Sequence, residues 1–172
     1  MSLRGRQNST NAAVDAARLL ILRLGATYLA LPAAGVHGIL TRSEAADGQA
    51  VTAAGVVYPP VDFAERLSLA ADFSGIDMRT VLYSTGRSQG AIPVEQVVGL
   101  ADVERKDCFP LPPQFQRDER SWFGGMMLYR DQLVLILNPA WALGESADTG
   151  AASIGPAGRM SEATSAAIGG LC

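Results

Sequence analysis

Two consecutive prolines inside an extended segment limit the possible folds of this chain more than any other feature. They lie within residues 53–69 (AAGVVYPPVDFAERLSL), directly after the β-favouring run VVY. Pro59 and Pro60 both lack a backbone amide donor, so a strand must end or bulge there. Asp62 follows at a position where its carboxylate can accept a backbone amide bond and start a turn or short helix. The stretch therefore predicts a strand, a proline stop and a capped turn.

The composition indicates a folded protein without a nucleic-acid partner. Of the 172 residues, 48% are hydrophobic, which is enough to form a core. The net charge of −3 leaves no basic excess to bind phosphates. Cys108 and Cys172 are too few for a disulfide framework, which favours a reducing cytoplasm. Arg23 interrupts the longest early apolar run, so we expect neither a membrane span nor direct membrane contact.

Short strand-forming runs, separated by glycine and proline turns, dominate the middle of the chain. Gly25 and Ala26 separate RLLILRL from TYLALP, which predicts a tight hairpin. A second hairpin is predicted where the turn 86–90 joins TVLYS to AIPV. A third is predicted where Arg130 and Asp131 join the run WFGGMML to QLVLIL, and the segment FPLPP is predicted to cross between sheets as an extended edge. This pattern predicts an all-β fold of small antiparallel barrels with minor helical turns.

Three regions are expected along the chain. Residues 1–17 form an N-terminal tail or a short helix over residues 12–17 that Asn11 could cap. Residues 18–143 form the folded domain. Residues 144–172 are rich in Gly, Ala and Ser and are expected to be a flexible tail, because they offer little apolar area to offset the entropy of ordering.

The order of three sequence pieces carries a family resemblance. The first piece, residues 53–69, has Gly55, Pro59, Val61 and Asp62 in the positions of a signature strand. The second is TVLYSTGRSQGAIPVEQVVGL, and the third runs from PLPP to the hairpin GGMMLYRDQLVLILNPAWAL. Together they resemble the CheW-like domain of bacterial chemosensory adaptors and of the regulatory domain in CheA kinases.

The resemblance covers about residues 20–143 and implies both a fold and a function. It implies two five-stranded SH3-like barrels packed side by side, with residues 53–69 in the first lobe and residues 80–100 in the second. It implies a non-enzymatic chemotaxis adaptor in two-component signal transduction, without a cofactor. The implied partners are methyl-accepting chemoreceptor cytoplasmic tips, the regulatory domain of a CheA-type histidine kinase and other CheW-like proteins. Recruitment to receptor arrays would follow.

Several departures mark a divergent member of that family. The arginine that usually precedes the signature glycine is Ala54, and the usual Val-x-Glu step is Val36, His37 and Gly38. Glu95 stands where an aspartate is expected. The two missing charges belong to the partner-facing surface in the family. A second hypothesis is therefore an adaptor that binds receptors or other adaptors without activating the kinase.

The resemblance implies partner-binding roles for Val36, Gly38, Ala54, Gly55, Val57 and Val97. For the three valines in that set, packing in a barrel core is the alternative interpretation. Asp62 is assigned a structural role in the turn.

Chemistry of its own is not expected from this chain. His37 is the only histidine, and the sequence contains no nucleophile elbow that would complete a catalytic triad. One histidine and two distant cysteines do not supply the ligands of a closed zinc site. The remaining alternative is a small ligand-binding or hydrolytic β-barrel in which Asp62 or Glu65 acts on a substrate.

Overall fold

The computed structural model describes residues 16–45 and 48–145. The strands, in chain order, are β1 (Ala16–Leu24), β2 (Thr27–Pro32), β3 (Val36–Thr41), β4 (Val51–Ala53), β5 (Val56–Tyr58), β6 (Arg79–Ser84), β7 (Gln89–Val94), β8 (Gln96–Glu104), β9 (Phe123–Tyr129) and β10 (Gln132–Leu137). The short helices are α1 (Phe63–Arg66), α2 (Glu119–Trp122) and α3 (Pro139–Ala142), and 3₁₀ turns lie at Ala33–Gly35 and Arg105–Asp107. The mostly β fold confirms the predicted class.

The strands build two lobes, one nested in the sequence of the other. The sheet β8-β1-β2-β10-β9 forms the terminal lobe, in which only β2 and β10 are parallel neighbours. The inserted lobe consists of the sheet β3-β6-β7 and the hairpin β4–β5. Two backbone hydrogen bonds join these parts, from Val61 N to Ala91 O (2.9 Å) and from Ala91 N to Pro59 O (2.7 Å). Each lobe thus contains five strands, which confirms the predicted pair of small barrels.

The division of the strands between the lobes corrects one expectation. Residues 53–69 and 80–100 were expected in different lobes, whereas β5, β6 and β7 all lie in the inserted lobe. The cause is the parallel pairing of the segment after β5 with β7, a long-range contact that local sequence patterns do not encode. Only β8 returns to the terminal lobe, where it pairs with β1.

Burial on both faces explains the unbroken apolar sequence of β1. Leu19 and Ile21 belong to the interior of the terminal lobe. Leu20 and Leu22 point to the opposite face, because side chains alternate along a strand, and they enter a core shared by both lobes. The other buried members of this interlobe core are Leu24, Leu29, Leu31, Phe63, Val81, Tyr83, Ile92, Val94, Phe123, Leu137 and Ala142. Hydrophobic burial therefore holds the two lobes together.

The three hairpins predicted from the sequence are present. The turn between β1 and β2 contains Gly25 with φ of 58°. In the turn between β9 and β10, Arg130 and Asp131 both have positive φ, 49° and 62°. β6 and β7 form the remaining hairpin.

A fourth hairpin, β4–β5, is absent from the sequence prediction. Its two-residue turn is made by Ala54 and Gly55, with φ of 49° and 78°. Asparagine, aspartate or glycine usually occupies the first position of such a turn, so alanine conceals it in the sequence. Similarly, Trp122 was expected in a strand but ends the short helix α2, and β9 begins at the next residue.

The ends of the domain differ slightly from expectation. Ala16 and Ala17 already belong to β1, so these two residues are not helical. The rest of the helix predicted over residues 12–17 lies outside the described residues, as do residues 146–172 of the predicted tail. Within the described part of the chain, no helix is long and apolar enough to cross a membrane.

Candidate partner-binding surface

Strand β3 forms one edge of the inserted lobe. Within the described residues, β3 has a backbone ladder on one side only, with β6. The pairing shifts between Val36 and Gly38, so His37 is the extra residue of a bulge. His37 and Ile39 both point outward, and Ile39 is 42% exposed. An edge of this kind leaves backbone groups and an apolar side chain available to a partner.

The β4–β5 hairpin contributes two more exposed apolar side chains. Val56 and Val57 are 40% and 51% exposed and, as neighbours on a strand, point to opposite faces of the hairpin. Ala54 and Gly55 form the exposed tip of the same hairpin. The hairpin is attached at its base, where Tyr58 is buried in the interior of the inserted lobe.

A side-chain hydrogen bond joins the hairpin to the edge strand. Nδ1 of His37 lies 2.9 Å from the hydroxyl oxygen of Tyr58, and the two rings meet edge to face. Because Tyr58 is buried, the bond fixes the position of β3 relative to β5. We call the resulting set, which is His37, Gly38, Ile39, Val56 and Val57, the edge surface.

The edge surface carries no acidic or basic side chain other than His37. A Cβ added at Gly38 would lie 3.5 Å from the nearest atom of the buried Leu82 side chain, so the inner face of this position admits a small side chain in ordinary contact. Apolar contact and backbone hydrogen bonding are therefore the interactions that this surface offers.

Two of the sequence candidates lie elsewhere. Val36 and Val97 are partly buried and pack against the interlobe core, where Val97 is paired with Leu22. Gly38, Ala54, Gly55 and Val57 lie on β3 and the β4–β5 hairpin. The structure thus separates four surface candidates from two that contact the core.

Tyr83 supports the chain segment that leads into β3. Its hydroxyl donates to the carbonyl of Pro32 (3.1 Å), and burial raises the pKa of Tyr83 to about 12. Gly35 lies against the same ring, since an added Cβ would be 2.4 Å from a ring carbon. These contacts fix the crossing between the lobes directly before the edge surface.

Asp62 has the geometry of a helix cap. Its carboxylate accepts a hydrogen bond from the backbone N–H of Glu65 (3.0 Å) at the start of α1. An open depression of about 490 Å³ lies beside it, lined by Gly48, Pro60, Val61, Asp62, Glu65, Arg66 and Pro93. This lining contains no Ser, Cys or His that a carboxylate could activate as a nucleophile. In the described residues, no three His, Cys, Asp or Glu side chains gather in a way that could hold a metal ion.

A second apolar surface, on the terminal lobe, is missing from the sequence candidates. Strands β8 and β9 are the two edges of the five-stranded sheet, and a groove of about 410 Å³ lies between them. Phe109 and Leu128 line this groove. Leu133, on β10, is paired with Leu128 on β9. These three residues, which we call the seam surface, are 47%, 63% and 54% exposed. No sequence signal marks this surface: in QLVLIL, Leu133 and Leu135 share one face of the strand, and only the structure shows that Leu135 packs on the interlobe core while Leu133 does not.

The structure thus has two small barrels around a common core, with exposed apolar side chains on both lobes. A family model described as CheW-like domain matches residues 18–146. The crystal structure of the scaffolding protein TtCheW from Thermoanaerobacter tengcongensis is similar, with a TM-score of 0.60 and 14% sequence identity over 72% of this chain and 84% of that one. A search of curated proteins gives no match.

The chain belongs to the CheW-like domain family, because the family model matches most of its length. The family consists of chemotaxis scaffolds and adaptors that are not enzymes, and it implies protein partners. The likeness to TtCheW supports the fold.

Proposed function

We propose that this protein is a cytoplasmic chemotaxis adaptor that holds chemoreceptor tips and the regulatory domain of a CheA-type histidine kinase together in receptor arrays. The observation that carries the proposal is the presence of two separate apolar surfaces, one on each lobe. Val57 represents the first and Leu128 the second, with 51% and 63% of their surface exposed. An adaptor needs two such surfaces, because it must contact two partners at once.

The chemistry of the partners assigns one surface to each. A receptor tip is a helical hairpin whose backbone groups are bonded internally, so it needs side-chain contacts rather than a free strand edge. The edge surface offers such contacts through Ile39, Val56 and Val57. A kinase regulatory domain of the same barrel type has strand edges of its own. It therefore fits the seam surface, where β8 ends the sheet; on the other side, Met126 of β9 is already bonded to Phe109 by two backbone hydrogen bonds.

Val57→Asp tests the receptor assignment. The side chain is half exposed, so a charge there should leave the fold intact while opposing apolar contact. We expect affinity for a purified receptor signalling fragment to fall by roughly tenfold or more, measured by calorimetry. Ile76→Asp is the matched control, because Ile76 is 92% exposed in the loop before β6 and lies outside both surfaces. Equal binding by V57D and wild type would remove the edge surface from the proposal.

Leu128→Asp tests the kinase assignment in the same way. We expect L128D to lose binding to the kinase regulatory domain by roughly tenfold or more and to retain binding to the receptor fragment. Loss of both activities together would point to unfolding, which circular dichroism would detect. Unchanged kinase-domain binding would contradict this assignment.

A second candidate function is a divergent adaptor that binds receptors or other adaptors without activating the kinase. Ala54 and Gly38, which lack the charges expected in the family, favour it. Ala54 is exposed at a hairpin tip and can accept a larger residue, whereas a Cβ added at Gly38 would be in ordinary contact with the buried Leu82 side chain. The double variant A54R/G38E should then increase kinase autophosphorylation in reconstituted receptor complexes. Full activation by the wild-type protein would rule this candidate out.

A further inference from the structure

Glu95 is the one residue that connects β7 of the inserted lobe to β8 of the terminal lobe. Its side chain is 11% exposed, so a carboxylate lies almost completely inside the junction of the lobes. A carboxylate in such a position is unfavourable unless hydrogen bonds compensate for its lost hydration. The partners of Glu95 therefore matter for how the lobes are joined.

The carboxylate binds backbone groups from both lobes with the same oxygen. Oε1 accepts from the backbone N–H of Gly25 (2.9 Å), in the β1–β2 turn of the terminal lobe. It also accepts from the backbone N–H of Asp72 (2.6 Å), in the loop after α1 of the inserted lobe. The second oxygen lies 3.8 Å from Nη2 of Arg23, on β1. The backbone N–H of Glu95 itself donates to the carbonyl of Arg23 (3.2 Å).

The lobes are in backbone contact at the same point. A Cβ added to Gly25 would lie 2.2 Å from the carbonyl oxygen of Ala70, so the turn and the 70–72 segment touch directly. Rotation of one lobe relative to the other would separate Gly25 from Asp72. Glu95 would then lose a hydrogen bond to a charged acceptor, which is a stronger bond than one between neutral groups.

Other polar links join the lobes in the described part of the chain, but each contacts a single partner segment. One is the hydrogen bond from the Thr85 hydroxyl, in the β6–β7 turn, to the Glu145 carboxylate after α3. Tyr83 donates to Pro32, and the Arg66 guanidinium donates to the carbonyls of Trp141 and Ala142 in α3. Arg66 is exposed and stacks on the Trp141 ring, so water can replace its hydrogen bonds. Glu95 differs because one oxygen of a carboxylate that is only 11% exposed accepts hydrogen bonds from the backbone of both lobes.

We propose that Glu95 is a positioning residue that sets the orientation of the two lobes relative to each other. The orientation fixes the angle between the edge surface and the seam surface. In so far as those surfaces bind the receptor and the kinase, which rests on the proposed function, Glu95 determines whether both partners can be held in one complex.

The test is a distance measurement between the lobes in the full chain. Spin labels are attached at Thr52→Cys on β4 and Gln132→Cys on β10, both exposed, in a background with Cys108→Ser and Cys172→Ser. Pulsed electron spin resonance then gives the distance distribution between the lobes. We expect Glu95→Ala to shift or broaden this distribution relative to wild type. Glu95→Gln should preserve it, because the amide oxygen can still accept from Gly25 and Asp72.

Glu44→Ala is the matched control. The Glu44 carboxylate accepts from the backbone N–H and hydroxyl of Thr41, so it binds backbone within the inserted lobe alone. An unchanged distribution in E95A, or an equal change in E44A, would overturn the proposal. If E95A does not fold, Glu95→Asp replaces it, since the shorter carboxylate cannot reach both amides and should broaden the distribution. The labelled chain is measured without partners, so the result is independent of the proposed function.

Discussion

The contact between Gly25 and Ala70 leads to a prediction that compares two glycines of the same conformation. Gly25 and Gly55 both lie in two-residue hairpin turns, with φ of 58° and 78°. An added Cβ at Gly55 meets no atom within 4 Å, whereas at Gly25 it would lie 2.2 Å from the Ala70 carbonyl oxygen. The substitutions Gly25→Ala and Gly55→Ala therefore share the backbone cost and differ in the collision between the lobes.

The expected magnitudes follow from these two terms. An L-residue in the left-handed region costs about 1–2 kcal/mol, and the lower entropy of the unfolded alanine variant offsets about 0.4–1 kcal/mol of that cost. G55A should therefore lose about 1 kcal/mol of unfolding free energy. At Gly25 the neighbour is backbone and cannot rotate away, so overpacking adds about 1–3 kcal/mol. G25A should lose about 2–4 kcal/mol in total.

Urea denaturation of both variants measures the difference. Equal slopes of unfolding free energy against urea concentration would show that the comparison concerns stability alone. G25A should also weaken the hydrogen bond from Gly25 N–H to Glu95, because the turn must move away from Ala70. The reasoning is refuted if G25A is as stable as G55A or more stable.

Three further predictions concern single residues. Asp62→Ala should lower the free energy of unfolding by about 1 kcal/mol, measured by thermal denaturation, because α1 loses its cap. Asp118→Ala is the control, since Asp118 precedes α2 without a side-chain cap bond. An equal loss of stability in the control would contradict the capping role of Asp62. Ala54→Asn should stabilise by about 1 kcal/mol, because asparagine tolerates the positive φ of the β4–β5 turn, and a destabilised variant in urea would contradict that turn geometry. Burial raises the pKa of Tyr83 to about 12, so the folded state keeps the phenol proton at pH values above the ordinary pKa of 10. The unfolded state loses that proton first, and the free energy of unfolding therefore falls as pH rises from 10 towards 12. Tyr83→Phe should lack that loss, which amounts to about 1 kcal/mol at pH 11, and parallel pH profiles of wild type and Y83F would contradict it.

The sequence predicts those parts of the fold that depend on local chemistry. Gly25, with its flanking apolar runs, predicts the first hairpin, and Pro59 and Pro60 predict where β5 ends. Asp62 predicts the cap of α1. In each case the residue type acts on its own backbone or on a neighbour a few residues away, so no knowledge of the rest of the fold is required.

Pairings between distant segments are the part that could not be predicted from residue patterns. The parallel contact between Pro59–Val61 and Ala91 places β5 and β7 in one lobe, and no local feature of either segment specifies the other. The turn at Ala54 is a different case. An alanine with positive φ is strained on its own, and it is held there because the surrounding hairpin and the buried Tyr58 determine its position.

The candidate site shows the same limit. The resemblance names Val36, Val57 and Val97 together, yet only Val57 is largely exposed, because the other two pack on a core formed by both lobes. Burial depends on what lies opposite a strand, which hydrophobic patterning does not reveal for a strand covered on both faces. The seam surface escapes prediction for the converse reason. Leu128 and Leu133 are as apolar as core residues, yet 63% and 54% of their surfaces are exposed.

The nested order of the lobes has a consequence for synthesis on the ribosome. The inserted lobe is a continuous stretch, from β3 to β7, and all of its strands emerge together. The terminal lobe is different, because β1 and β2 emerge first and must wait for β8, β9 and β10. β10 takes a central place between β2 and β9, so the apolar edge of β2 stays uncovered until translation of the domain is nearly complete. We therefore expect nascent chains that lack β10 to contain a folded inserted lobe beside an open, aggregation-prone β1–β2 hairpin.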